Sequence, residues 1–191
     1  MSIKPRLYER VIKGREELDK PAVERTEVKK ILSDCLKEKG ISAEVLTINP
    51  LSEKINYEQI SEKYETNGAG HIIWVQFVIS GHVAVVGAGK DIGFPKNENN
   101  GTWSILSKLP NVEWDRSEVI IIPVRELDQH SYGLKNIHKH RNNILKCRNG
   151  VEHYIGECLI KKDVPVLNYY QHRNYSESFW QKCEEGNYVI E

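Results

Sequence analysis

The chain has 191 residues, of which 39% are hydrophobic, and its 27 Lys and Arg balance 27 Asp and Glu. That length is a prior for one domain able to bury a core without disulfides or a metal, and the aromatic content argues against global disorder. No apolar run approaches the ~20 residues of a membrane span, and Met1-Ser2-Ile3-Lys4-Pro5-Arg6 has no apolar stretch behind it, so a soluble, cytoplasmic protein is expected.

Residues 4–40 are charge-dense and lean helical. Pro21 suits a first helical turn, and Val28, Ile31, Leu32, Cys35 and Leu36 recur at helical spacing before Gly40 closes the element. Ile41 to Ile48 reads as a short strand ending at Asn49-Pro50. Asn56 can cap a helix running to about Glu65. Between Glu65 and Lys90 there is no Asp, Glu, Lys or Arg. Within that stretch, residues 72–79 are apolar on both faces apart from Gln76, Ser80-Gly81 is a tight break, and 83–86 is apolar again. The pattern is a hairpin of strands covered on both sides. A polar loop from Pro95 to Gly101 leads to a short helix near Trp103–Leu106, and Val119–Ile122 is a core strand with Pro123 at its edge. Two helical stripes follow, one through Leu134, Ile137, Arg141, Ile144 and Leu145 and ended by Asn149-Gly150, the other through Val151, Tyr154, Ile155, Cys158 and Leu159. An aromatic-rich tail closes the chain.

The expected fold is therefore α/β or α+β, with a central mixed sheet of about four strands that contains a buried hairpin (72–79, 83–86), flanked by helices and followed by a helical C-terminal third. It is read as a single domain over 1–191, with a helical segment at 1–40, the sheet core at 41–124 and a helical, aromatic-rich segment at 125–191. The four cysteines, Cys35, Cys147, Cys158 and Cys183, show neither a CxxC pair nor zinc-like spacing and read as buried apolar side chains or free thiols.

Several segments carry residue types that chemistry could use. Gly87-Ala88-Gly89-Lys90-Asp91 lacks the residues of a phosphate-binding P-loop and reads first as a tight turn leaving a core strand, and second as a backbone-amide anion site. The order helix, strand, hairpin, helix, strand resembles the core of the restriction-endonuclease-like nucleases, whose signature is an acid followed by Asp/Glu-x-Lys. That resemblance implies one or two Mg²⁺ ions held by carboxylates to activate water. The hairpin itself carries no such acid, and the nearest candidates for a catalytic set are Glu65 before it and Lys90 with Asp91 after it. Five of the seven histidines lie beyond residue 129. Asp128-x-His130 with His138-x-His140 has the residue types of a metal site, but an i,i+2 pair on a helix points to opposite faces.

The strongest pattern is basic. From Ser131 to Arg148 there are five cations and no acid. At helical spacing Lys135, His138, Lys139, Asn142 and Lys146 share the face opposite the apolar stripe, and an unpaired single-sign stripe suits phosphate. In the tail, Tyr169 to Tyr175 interleaves rings, amides and a cation, so that Tyr170 could stack on an unpaired base and Arg173 bind phosphate. The leading expectation is an intracellular protein that binds or processes nucleic acid through this basic helix, with Mg²⁺ required only if it is a nuclease. The alternative is a non-catalytic interaction protein of the immunity or inhibitor type. A small-molecule enzyme using the Gly87–Asp91 turn ranks third.

Overall fold

The structure, a computed structural model, describes residues 7–51, 56–65, 72–89, 92–125 and 148–169. Helices α1 (Leu7–Leu18) and α2 (Arg25–Glu38) precede β1 (Leu46–Ile48), α3 (Tyr57–Lys63), β2 (Ile72–Val78), β3 (Val83–Gly89), α4 (Trp103–Leu106), β4 (Trp114–Pro123) and α5 (Arg148–Lys161). Four strands form one sheet in the order β1-β4-β2-β3. The sheet expected as mixed is antiparallel in all three of its ladders, and the parallel component is a single bridge, Val83 to Val166. The topology is that of an α+β protein.

The apolar pattern explains the layers. Ile73, Val75 and Phe77 alternate onto one face, where they meet Val28, Leu32 and Leu36 of α2 and Val151, Ile155 and Leu159 of α5 in a fully dry cluster. Ile72, Trp74 and Gln76 alternate onto the other face, which is covered in two patches bridged by Phe94. At one end α1 and α4 pack on Val78, Ala84 and Val85 through Val11, Ile105 and Leu106. At the other end Tyr57 and Ile60 of α3 cover Ile72, Val119 and Ile121. The hairpin turn is made by Gly81, whose φ of 88° is available to glycine at no steric cost. His82 fastens that turn to the α1–α2 connection. Its Nε2 donates to the Lys20 carbonyl at 2.8 Å and its Nδ1 accepts from Ser80 Oγ at 2.9 Å.

Several expectations are corrected in detail. Pro21 lies in the connection between helices, four residues ahead of α2, and not in a first helical turn. The strand expected over Ile41–Ile48 pairs only at Leu46–Ile48, because Ile41, Ala43 and Val45 pack on the first core without joining a ladder. β4 begins at Trp114, five residues earlier than its apolar run, because Asp115 and Glu118 are neutralised within the strand by Arg25. Asn149-Gly150 does not end a helix but lies inside α5. Asn56 does cap α3, accepting from Gln59 N at 3.0 Å. Finally, Cys35 and Cys158 are buried as expected but are not free thiols. They form a disulfide between α2 and α5, with Cα atoms 6.5 Å apart and a sequence separation of 123. No helix among the described residues is long and apolar enough to cross a membrane.

Candidate functional site

The gap between the two patches of the second face is a cleft of about 470 Å³. Its floor is the sheet at Trp74, Gln76 and Val85, and its outer wall is the loop from Gly93 to Thr102, with Glu152 of α5 also on the lining. Strands covered on both sides would leave Trp74 as inaccessible as Phe77, Val85 and Ile121. Those three are buried, but Trp74 is only half-buried because it walls the cleft.

Trp74 also explains the glycines. Its cross-strand partner is Gly87, and a Cβ there would meet Trp74 Cε2 at 2.7 Å. A side chain at position 87 would push the indole off the strand. Gly87 and Gly89 thus lie within β3 as the bed of an aromatic ring, which corrects the reading of this stretch as a turn. A second aromatic group closes the cleft. Trp114 meets Phe94 edge-on at 5.8 Å between centroids and stacks on Trp103 at 6.2 Å. Trp114 Nε1 donates to the Pro95 carbonyl at 2.8 Å, and the Arg116 guanidinium lies 5.6 Å from the Phe94 ring centre. These contacts pin the loop to the sheet.

The polar groups are few. Gln76 is 2% exposed, in a strand otherwise without a polar side chain, and its Nε2 donates to the Gly93 carbonyl at 2.5 Å. Its Oε1 accepts no hydrogen bond among the described residues, and it is not sealed from solvent. Both ladders of β2 shift register immediately after Gln76. Bulges of this kind re-aim side chains and recur beside functional sites. On the loop, Asn100 Oδ1 accepts from the Thr102 and Trp103 amides, and Thr102 Oγ1 accepts from Asn168 Nδ2. The arrangement offers aromatic rings beside polar groups, with Gln76 Oε1 as a solvent-accessible acceptor unpartnered among the described residues and the Glu152 side chain also on the lining.

Of the expected catalytic set, Glu65 is described. It is exposed, and its carboxylate meets the Arg125 guanidinium at 2.8 Å. Ile72 pairs with both Gly89 and Pro123, so β2 begins at the sheet end where β3 and β4 finish. Lys90 and Asp91, which follow Gly89, lie outside the described residues, as do all the expected nucleic-acid contacts, Lys135, His138, Lys139, Asn142, Lys146, Tyr170 and Arg173. The Asp128, His130, His138 and His140 group is outside them too. Among the described residues no group of three or more His, Cys, Asp or Glu could hold a metal ion.

Near the sheet's far corner, Arg25 bonds Asp115 and reaches Glu118 at 3.2 Å while its guanidinium covers the Phe77 ring at 4.6 Å. Partial burial alone would raise the Asp115 carboxyl, but hydrogen bonds from Arg25 and Ser117 outweigh it and hold the group below the usual carboxylate range.

Comparison with protein-family models, curated proteins and solved structures gives no match to this chain. What fold and site together define is a class: an α+β protein with one sealed sheet face and one face open at an aromatic cleft.

Proposed function

We propose that the protein binds nucleic acid, with the acid-free stretch from Ser131 to Arg148 as its phosphate-facing surface. One observation carries the reading beyond composition. Asp115 and Glu118 are among the acids just upstream that could have neutralised the stretch, and both are engaged by Arg25. Glu65 is likewise engaged by Arg125. With those acids occupied elsewhere, five cations in 18 residues of a chain with zero formal charge favour a polyanionic partner. In sequence the stretch lies between β4 and α5, two elements that share the same core.

The test is the salt dependence of binding. Changing Lys135, Lys139 and Lys146 together to Gln should weaken binding to many sequences alike and flatten the log K against log[salt] slope by about 2–3 units. The same proposal places the protein in the cytoplasm, where the Cys35–Cys158 bond would face a reducing environment. Thiol trapping in fresh lysate decides this. Alkylation of both cysteines fits the cytoplasm, and protection of both fits an oxidising compartment.

A second reading, a protein-interaction module, has its own supporting observation. Leu7, Tyr8 and Ile12 present exposed apolar side chains on α1, with Tyr8 74% accessible. Charge substitution at Tyr8 and Ile12 that abolishes capture of a co-purifying protein would favour it.

A further inference from the structure

We infer that the cleft between Trp74 and the Gly93–Thr102 loop is a pocket for an unpaired nucleobase, in which Gln76 Oε1 accepts a hydrogen bond from an N–H group of the base. The inference rests on the nucleic-acid reading and adds to it a site where a base, rather than phosphate, is held.

The buried amide is the first argument. Gln76 is 2% exposed on an otherwise apolar strand that lines the cleft, and its Oε1 is accessible to solvent and without a partner among the described residues. Gln76 uses only its donor end, on the carbonyl of Gly93, an exposed residue that water could serve as well. The orientation of the amide is fixed by that contact, since the reverse would set Oε1 against another carbonyl oxygen. The acceptor end is what remains for a ligand, and that ligand must donate.

Shape is the second argument. Three of the lining residues, Trp74, Phe94 and Trp114, carry aromatic rings, so the cleft suits a planar, polarisable guest. A nucleobase combines such a plane with N–H groups on its edge, and a carboxamide is the side chain that commonly reads base edges. A base inside a duplex shows neither its face nor its pairing edge, so the guest must be unpaired.

Position is the third argument. The basic stretch ends at Arg148, one helical turn before Glu152, which lines the cleft. The C-terminal end of the basic stretch is therefore close to the cleft along α5.

Three of the chain's four tryptophans are at the cleft or stacked on its wall, so tryptophan emission reports occupancy directly. The full chain is titrated with cytidine, with single-stranded oligodeoxycytidylate, with a duplex of equal length and with maltotriose. Cytidine and the single strand should quench emission, and the duplex should not. Gln76→Met should weaken cytidine binding about 3- to 10-fold, the worth of one neutral hydrogen bond, with an unchanged melting temperature. Phe94→Leu on the exposed loop gives a second variant, expected to lower affinity by about 5-fold or more through lost stacking. Lys135, Lys139 and Lys146 changed to Gln should weaken the oligonucleotide and leave cytidine unaffected. Salt-dependent oligonucleotide binding without quenching, and indifferent to Gln76→Met, would overturn the pocket while leaving the basic surface standing. Cytidine binding sensitive to Gln76 with no oligonucleotide binding would sustain the pocket and overturn the basic surface. Quenching by maltotriose and not by cytidine would overturn the assignment to a base.

Discussion

The two faces of the sheet are built from the same strands and yet do different work. Residues 73, 75 and 77 of β2 go under α2 and α5, where the neighbouring side chains are aliphatic and accessibility falls to zero. Residues 72, 74 and 76 go under smaller covers bridged by Phe94, and the opening between them leaves the Trp74 indole half-buried and Gln76 on the cleft lining. A one-residue step along a strand therefore separates a site that holds the fold from a site that can hold a ligand. Burial alone does not distinguish them, since Phe77 and Gln76 are almost equally inaccessible. What distinguishes them is whether every group on the residue is satisfied by the protein.

The comparison can be broken most easily on the sealed side. Phe77→Ala removes a fully buried ring that also carries the Arg25 guanidinium, and it should cost roughly 3–5 kcal/mol in urea unfolding. An unchanged midpoint would show that this face is not the core. Next in size is the Cys35–Cys158 bond, which closes a long loop between the two helices of that face. The double change to Ala should lose about 2–4 kcal/mol relative to the oxidised protein, and alkylation of the denatured, unreduced chain should leave both cysteines unmodified.

On the open side the effects should be smaller and local. Gly87→Ala sets a Cβ against the Trp74 indole, so it should cost about 1–3 kcal/mol and shift tryptophan emission, with the sheet's circular dichroism retained. The smallest predicted effect concerns acid. The Asp115 carboxyl is held below its ordinary range in the folded chain by Arg25 and Ser117, so its contribution is present above the unfolded-state value near 4 and is lost as pH falls through the lower folded value. Asp115→Asn should remove roughly 1–2 kcal/mol at neutral pH and flatten the stability profile below about pH 4. A profile that keeps its wild-type slope would move the acid sensitivity to other carboxylates.

The sequence makes the sealed side far more legible than the open one. The absence of charge between Glu65 and Lys90 locates the hairpin, and the Ser80-Gly81 break between two apolar runs separates its strands. Asn56 announced its helix because capping is local chemistry. The beginning of β4 was hidden, because Asp115 and Glu118 look like loop residues until Arg25, ninety positions away from Asp115, neutralises them. The disulfide was hidden for the same reason, since no local spacing records a pairing over 123 residues. The cleft had two traces in the sequence. Gln76 stands alone among apolar neighbours, and two glycines interrupt a strand opposite a tryptophan. Neither shows its meaning until the register sets Trp74 on Gly87 and the loop leaves Oε1 uncovered.

The central claim is that Gln76 is buried for a ligand and not for the fold, and equilibrium urea unfolding of Gln76→Met without any ligand tests it most directly. Methionine keeps the side chain's length and packing, and the Gly93 carbonyl it releases belongs to an exposed residue that water can serve. The account predicts a stability within about 1 kcal/mol of the parent chain. A loss above about 2 kcal/mol would contradict it, because it would mean that the amide holds the loop and sheet together and that the cleft is a by-product of that contact.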